Sequence, residues 1–214
     1  MSTVLVIGAS QGIGLESVRV LLGDGHRVRA FARSAPRIPI NDPNLEKVTG
    51  DALNKTDVAR ALAGVDAVVL TLGVAMNLAT MLSGTNLFSR ATRNIVDLMA
   101  EHGPRRLICV TGLGAGDSRG HFGILYDSVM FPLVLKRLYD DKDVQEQIVH
   151  RSSLDWTIAR PGVLVSAPVT GRYRALVDPR DWDFKTIARA DVAHFIADEI
   201  RERAFVHQTP LIIS

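Results

Sequence analysis

The sequence is short of features that mark several classes of protein. It has a single cysteine, Cys109, so no disulfide can form within the chain, and the lone thiol fits a reducing compartment. No apolar run is long enough to cross a membrane, and the first ten residues lack the basic start and the cleavage site of a signal peptide. The charges nearly cancel, at +2, without a long basic run. We therefore expect a cytoplasmic protein that binds neither nucleic acid nor a membrane.

The most informative stretch stands at the start of the chain. An apolar strand, Val4–Ile7, runs into a glycine-rich turn with Gly8, Gly12 and Gly14, and then into an amphipathic segment at 15–22. This order suits the pyrophosphate of a dinucleotide, because glycines let the backbone approach phosphates and a helix N-terminus supplies free N–H groups and partial positive charge. A tight turn in any α/β protein is the other interpretation. The position directly after a continuous apolar strand favours nucleotide binding.

Strands and helices alternate along the rest of the chain. Apolar patterns and turn residues predict strands at 26–32, 46–50, 66–72, 106–110, 156–159 and 211–213, and helices at 54–63, 85–102, 123–150 and 190–203. Cys109 falls inside one of these strands, where we expect a core residue. The pattern predicts a single α/β domain of Rossmann type over residues 1–214, with a doubly wound, mostly parallel sheet and helices on both faces.

This fold predicts the edge at which a ligand binds, because ligands of such sheets lie outside the carboxyl ends of the strands. Asp51, after the third strand, either accepts a hydrogen bond from an adenine amino group or begins the turn before the next helix. Gly73, after the fourth strand, either gives the backbone close access to the adenosine ribose or makes a turn. The candidates that follow strands are Arg33, Asp51, Leu72, Gly73, Thr111, Gly112, Pro161 and Gly162.

Arg33 bears on the choice of dinucleotide. An NAD-selective site usually has an Asp or Glu near this position, which accepts from the ribose 2′-hydroxyl. A guanidinium instead pairs with a 2′-phosphate in a fork and stacks on adenine, and Arg37 is close enough in the sequence to assist. We therefore predict NADP(H), preferred over NAD(H). An arginine in an exposed loop is the other interpretation.

Several motifs together resemble the atypical short-chain dehydrogenases/reductases. They are the glycine turn with its G-x-x-x-G-x-G spacing, Arg33, Gly50-Asp51, the segments 91–96, 110–115 and 155–162, and Arg189–Ala193. The nearest groups are the NAD(P)H-binding proteins similar to biliverdin-IXβ/flavin reductase and the NmrA-like proteins. The resemblance covers essentially the whole chain and is specific for fold and cofactor. It says little about substrate, because the family includes reductases and redox-sensing regulators.

The resemblance implies a role for each group of residues in the cofactor site. Of the glycine turn, Ser10, Gln11 and Ile13 would contact the pyrophosphate. Arg33 would contact the 2′-phosphate, and Asp51 and Ala52 would flank adenine. The residues that would border the nicotinamide are Thr111, Pro161, Gly162 and Val163. The predicted cofactor site also contains Gly8, Gly12, Gly14, Arg37, Leu72, Gly73 and Gly112. No metal site is predicted.

The same resemblance exposes a gap among the catalytic residues. Standard members use a Ser after the fifth strand, a Tyr and a Lys four residues later; the Tyr hydroxyl donates a proton as hydride arrives, and the Lys lowers its pKa. Lys142 keeps its place here, but Leu138 stands four residues before it and Tyr139 is off by one. Since a helix turns about 100° per residue, Tyr139 is expected to face another direction. Gly112 replaces the serine.

Three hypotheses account for the incomplete set. Tyr126 or His121, in the insert after the fifth strand, donates the proton; or the reaction needs no protein acid, as in the reduction of flavins or conjugated tetrapyrroles; or the protein binds NADPH without turnover. The candidate catalytic residues are Thr111, Tyr126 and Lys142. Thr111 either orients the nicotinamide or caps the end of a strand.

The apolar segment 122–138 falls where this fold builds its substrate pocket. It is either a lid over a flat hydrophobic substrate, or a dimer helix or ordinary core. We expect a pocket built from residues 113–140 and 163–188, with Trp182 and Phe184 in its wall, in a monomer or homodimer. The leading hypothesis is an NADPH-dependent reductase of a small aromatic or conjugated acceptor (flavin, quinone or ketone type). The alternative is a non-catalytic NADP(H)-sensing protein that regulates or binds a protein partner.

Overall fold

A computed structural model describes residues 1–74, 85–116 and 136–214. Within them the strands are β1 (Thr3–Ile7), β2 (Arg27–Ala32), β3 (Leu45–Thr49), β4 (Ala67–Leu70), β5 (Arg106–Val110), β6 (Asp155–Pro161), β7 (Val163–Val165), β8 (Arg174–Leu176), β9 (Thr186–Ala188) and β10 (Leu211–Ile213). The helices are α1 (Gly12–Gly23), α2 (Lys55–Leu62), α3 (Leu87–His102), α4 (Lys136–His150) and α5 (Arg189–Glu202).

Eight strands form one sheet in the order β3-β2-β1-β4-β5-β6-β10-β8. Neighbouring strands are parallel except at one edge, where β8 runs antiparallel to β10. β7 and β9 form a separate parallel ribbon. The order of the strands reverses between β1 and β4, which are parallel neighbours in the sheet. The predicted doubly wound sheet is thereby confirmed, and its switch point lies between the carboxyl ends of β1 and β4.

Helices cover both faces of this sheet. On one face α1 and α5 pack with Val4 and Val6, and on the other α2, α3 and α4 pack with Leu5 and Ile7. Successive side chains of a strand point to opposite faces, so every residue from Val4 to Ile7 is buried. Burial on both faces is the reason that β1 is a continuous apolar run.

The predicted elements recur with shifts of up to three residues at their ends, except in the stretch after β5. Of the predicted helix at 123–150, the part from Lys136 to His150 is helical, and residues 117–135 lie outside the described parts of the chain. β7, β8 and β9 were not predicted. Each is only three residues long, too short for a period-two pattern to stand out.

Two further expectations from the sequence concern the single cysteine and membrane-spanning segments. Cys109 has no exposed surface in β5 and is a core residue, as predicted. In the part of the chain that the structure describes, no helix combines the length and the apolar character needed to cross a membrane.

Candidate functional site

The glycine turn joins β1 to α1 at the switch point. Gly8 has a φ of +91° and donates its N–H to the Phe31 carbonyl at 3.0 Å. A Cβ on Gly8 would lie 2.7 Å from the Thr71 carbonyl oxygen, and one on Gly14 would lie 2.6 Å from Thr71 Oγ1. These two glycines therefore let β1, α1 and the chain after β4 pack closely together.

Gly12 has a different environment from the other two glycines. Its φ is +58°, and a Cβ there would meet no atom within 4 Å. It is the first residue of α1, Gln11 makes no side-chain cap, and the first turn carries no acidic residue. The first N–H groups of a helix lack intrahelical partners and attract anions. The residues present therefore fit the pyrophosphate of a dinucleotide.

Arg33 and Arg37 lie near the end of β2. Arg33 directly follows the strand, Arg37 ends a short 3₁₀ helix, and both are exposed. Within residues 1–74, 85–116 and 136–214, neither guanidinium has a hydrogen-bond or ion-pair partner. Arg29, earlier on the same strand, differs: it pairs with Glu46 at 2.6 Å and donates to two carbonyls near the end of α2. The two arginines nearest the predicted 2′-phosphate position thus remain accessible.

Asp51 lies in the turn between β3 and α2. Its Oδ1 accepts the Leu53 N–H at 2.9 Å, so it holds a turn, as one of its two interpretations predicted. The carbonyls of Ala52 and Leu53 accept from Asn94 Nδ2 of α3 at 3.4 and 3.1 Å. Asn94, which the sequence singled out only as part of a motif, ties this loop to the helix beside it.

The chain after β4 completes the switch point. The N–H and the hydroxyl of Thr71 both donate to the Ile7 carbonyl, each at 2.9 Å, which joins the ends of β1 and β4. Leu72 is half-buried, and Gly73 is exposed with open space where a Cβ would stand. The predicted residues of this loop therefore lie on the same edge as the glycine turn.

A buried polar group stands at the ends of β5 and β6. Thr111 Oγ1 donates to Glu146 Oε1 at 2.7 Å, and Arg160 donates to the same carboxylate from Nε at 3.0 Å and from Nη2 at 2.6 Å. Lys142 Nζ donates to the Thr111 carbonyl at 2.8 Å and lies 4.4 Å from the centre of the Phe88 ring. Burial lowers the pKa of Lys142 to about 8. The structure thus brings together two predicted catalytic residues, Thr111 and Lys142.

Tyr139 faces this edge of the sheet. Its spacing from Lys142 had led us to expect another direction, and that expectation is wrong. A Cβ on Gly112 would lie 3.1 Å from Tyr139 Oη, so the phenol stands beside Gly112. The two side chains are three residues apart on α4, which leaves them about 60° apart around the helix axis. That separation still lets both reach the end of β5.

The end of β6 leads into the ribbon of β7 and β9. Gly162 donates its N–H to the Ile212 carbonyl at 2.9 Å, Val163 donates to the Lys185 carbonyl at 2.9 Å, and Pro161 is buried. A Cβ on Gly162 would overlap the Lys185 carbonyl, so the residues just before β7 and β9 lie close together. The predicted nicotinamide-side residues therefore occupy the carboxyl edge of the sheet, beside Thr111.

Trp182 and Phe184 differ in exposure. Trp182 is buried, donates Nε1 to the Leu176 carbonyl at 3.1 Å and packs with Leu113. Phe184 is 44 % exposed. Trp182 is therefore held in the interior of the protein, while Phe184 offers an accessible ring. Tyr126, His121 and most of the predicted lid lie outside the described residues.

Sequence reasoning found Lys142 but missed Asp141, Gln145 and Glu146 beside it on the inner face of α4. All four side chains are buried, although their polarity suggests a solvent face. The Asp141 carboxylate accepts the N–H groups of the first two residues after Leu87 and so caps α3. Four polar residues at helical spacing were the available signal, but only their burial distinguishes them from a solvated face. In the described residues no cluster of three metal-binding side chains occurs.

Comparisons with known proteins agree with this geometry. Anaerobilin reductase (ChuY) from Escherichia coli O157:H7 has a TM-score of 0.81 at 26 % identity, covering 99 % of this chain and 97 % of that one. A short-chain dehydrogenase/reductase from Veillonella parvula, in complex with NADP, has a TM-score of 0.80 at 18 % identity, covering 100 % and 94 %; this likeness shows the fold.

Sequence comparison adds a shorter match and a family. A 3-beta-hydroxysteroid dehydrogenase from Mycolicibacterium neoaurum is 40 % identical over 74 residues, which are 35 % of this chain and only 20 % of that protein. The model of a family described as NAD(P)H-binding matches residues 8–203, which is most of the chain. The chain belongs to this NAD(P)H-binding family.

Proposed function

We propose that this protein is an NADPH-dependent reductase that transfers hydride to a small aromatic or conjugated acceptor, of the flavin, quinone or ketone type. The observation that carries the proposal is the glycine turn, where Gly12 opens onto free space at the N-terminus of α1 and beside the switch point. Membership of the NAD(P)H-binding family supports the binding of such a cofactor. The cofactor supplies the hydride when bound, and the residues of the chain hold and orient it.

Two arginines support NADPH over NADH. Arg33 and Arg37 are exposed at the end of β2, and no acidic residue directly follows that strand. A guanidinium fork matches the geometry and the charge of a phosphate monoester. A protein of the same fold holds NADP, so the architecture accommodates the larger dinucleotide.

Cofactor titration tests this preference. We expect Arg33→Ala to weaken NADPH binding about tenfold or more, because a charged hydrogen bond contributes about 1.5–3 kcal/mol, and to leave NADH binding nearly unchanged. Arg27→Ala is a matched control, since Arg27 is also exposed but lies at the opposite end of β2. Isothermal titration with both dinucleotides measures the effect. Tighter binding of NADH than of NADPH by the wild type would contradict the proposal.

The source of the proton depends on the acceptor. Tyr139 Oη, beside Gly112, is the phenol that the described residues bring to the end of β5, and a phenol can act as a general acid. We expect Tyr139→Phe to slow the reduction of carbonyl acceptors about 10²-fold or more. Reduction of flavins or conjugated tetrapyrroles, where solvent supplies the proton, should change little. NADPH oxidation with flavins, quinones, ketones and biliverdin distinguishes these cases, and the likeness to an anaerobilin reductase supports the inclusion of a tetrapyrrole.

A second candidate function is a non-catalytic NADP(H) sensor. It is favoured by Gly112, which stands where standard family members have a serine, and by the engagement of Lys142 with the Thr111 carbonyl. Tight NADPH binding without oxidation by any acceptor in the panel would select this function. Turnover with any of them would exclude it.

A further inference from the structure

The hydroxyl of Thr111 is held in one direction. Its Oγ1 lies 2.7 Å from Glu146 Oε1, and a carboxylate oxygen can only accept. The proton of this hydrogen bond therefore belongs to Thr111. Toward any other group, the hydroxyl presents only its lone pairs.

Arg160 fixes the carboxylate that sets this direction. Its Nε and Nη2 donate to the two oxygens of Glu146, at 3.0 and 2.6 Å, in a fork that orients the plane of the carboxylate. Arg160 is 1 % exposed and Glu146 2 %, while Thr111 keeps 7 % of its surface accessible. We call these three residues the carboxyl-end triad, and Thr111 is its outermost member.

The backbone of Thr111 also has hydrogen-bond partners. Its N–H donates to the Ala159 carbonyl at 3.0 Å, and its own carbonyl accepts from Lys142 Nζ at 2.8 Å. Both donor groups of Thr111, its N–H and its hydroxyl, are therefore engaged, and its side chain can only accept a further hydrogen bond. A residue with that capacity, at the carboxyl end of β5, suits a ligand that offers an N–H donor.

We propose that Glu146 is a positioning residue, which fixes the Thr111 hydroxyl as a hydrogen-bond acceptor for the carboxamide NH₂ of a bound nicotinamide. It follows that Thr111 does not donate the proton of the reaction. This inference rests on the proposed function, because it needs a nicotinamide dinucleotide at the carboxyl edge of the sheet.

A cofactor analogue tests this role directly. In 3-acetylpyridine adenine dinucleotide phosphate a methyl group replaces the carboxamide NH₂, so this analogue cannot donate to Thr111. We expect the wild type to bind NADP⁺ about tenfold more tightly than the analogue, the range of one hydrogen bond. Thr111→Val should reduce this preference to about twofold or less, and Thr111→Ser should retain it. Isothermal titration measures all three proteins.

Variants of Glu146 test the positioning. In Glu146→Gln the amide NH₂ must face one of the guanidinium nitrogens of Arg160, whichever way the amide is turned. The side chain therefore no longer holds the Thr111 hydroxyl in one direction. We expect the preference for NADP⁺ over the analogue to fall to about threefold or less. Glu146→Asp withdraws the carboxylate by one methylene and should act alike, which provides a second variant if the glutamine variant does not fold. Destabilisation of the fold alone would weaken the binding of both dinucleotides and would leave the preference for NADP⁺ over the analogue unchanged.

A second buried group provides the matched control. Arg106, Thr157 and Glu199 form the amino-end triad, in which Arg106 Nη2 lies 2.6 Å and Thr157 Oγ1 3.1 Å from Glu199 Oε2. We expect Glu199→Gln to keep the full preference for NADP⁺. Equal binding of the two dinucleotides by the wild type, or a tenfold preference retained in Glu146→Gln and Glu146→Asp, would overturn the inference. If the wild type bound neither dinucleotide, the proposed function would be wrong and the inference with it.

Discussion

Two buried groups of the same composition, each an arginine, a glutamate and a threonine, lie toward opposite ends of the strand pair β5–β6. The amino-end triad has Arg106 at the start of β5 and Glu199 on α5, whereas the carboxyl-end triad has Thr111 just past β5 and Glu146 on α4. The shortest Arg–Glu distance is 2.6 Å in both, and both ion pairs are almost fully buried. They lie on opposite faces of the sheet, because their glutamates come from helices that cover opposite faces.

The two triads differ in the residues around them, which make the amino-end triad a structural group and the carboxyl-end triad part of the candidate site. Glu199 Oε1 accepts the Phe205 N–H at 3.1 Å, and Thr157 donates to the Phe205 carbonyl at 2.8 Å, so the amino-end triad closes the turn after α5. The carboxyl-end triad instead adjoins Lys142 and the loop that follows β5. Identical chemistry therefore has a different role according to the edge of the sheet, since ligands approach only the carboxyl ends of the strands.

The largest effect that we expect is a loss of stability of the same size when either triad loses its arginine. Arg160→Met and Arg106→Met each leave a buried glutamate without its cation, and each should lower the free energy of unfolding by about 3–5 kcal/mol. Urea denaturation of both variants measures the loss. A loss below about 1 kcal/mol in either variant would show that its ion pair is not buried as the structure describes.

Lys142, which adjoins the carboxyl-end triad, makes the stability of the protein depend on pH. Burial lowers its pKa from 10.5 to about 8, so between these values the unfolded chain binds a proton that the folded protein does not. The free energy of unfolding should therefore rise with pH in this window, by about 3 kcal/mol in all, and the stabilisation should be lost as the pH falls to 8. Lys142→Met removes this rise. Urea denaturation at pH 7.5, 8.5 and 9.5 measures the difference between the two proteins, and a difference that does not change with pH would refute the prediction.

Gly116 and Gly12 share a φ of +58° but differ in their surroundings. A Cβ on Gly116 would lie 2.5 Å from Arg160 Nη2 and would overlap Glu146, whereas one on Gly12 meets nothing. We expect Gly116→Ala to cost about 2–3 kcal/mol of stability, from backbone strain and crowding together, and Gly12→Ala only the strain of about 1 kcal/mol.

Cofactor binding should reverse the order of these two glycine variants. Gly12→Ala places a methyl group in the predicted pyrophosphate position and should weaken NADPH binding more than Gly116→Ala does. Thermal unfolding and NADPH titration of both variants provide the two rankings. The same ranking in both measurements would argue against a phosphate at Gly12.

The smallest expected effect concerns Cys109, which lies on β5 between the two triads. Its thiol is fully buried, and burial raises its pKa to about 12, so the native protein should react with iodoacetamide only after β5 has opened. Arg106→Met and Arg160→Met should both speed the alkylation. Acceleration by only one of them would show that β5 does not open as a unit.

Local patterns were enough to predict the elements around the glycine turn. The strand, the turn and α1 are contiguous in the chain, so their apolar run and glycine spacing carry the information that forms them. The same reasoning failed for Tyr139, because its direction was deduced from one helix without knowing how α4 lies against β5. The short strands β7 to β9 were missed for a related reason, since three residues contain too little pattern to detect.

By itself, the sequence determined the doubly wound order of strands and helices and a glycine turn followed by arginine in place of an acid. These features depend on neighbours in the chain, on backbone freedom and on the burial of continuous apolar runs. Only the tertiary structure decided that the polar face of α4 is buried, that Glu146 meets Arg160 from another element, and that Thr111 is left as an acceptor. The physical reason is that a buried charge is tolerated only against a partner, and the partner is brought to it by the fold and not by its place in the sequence.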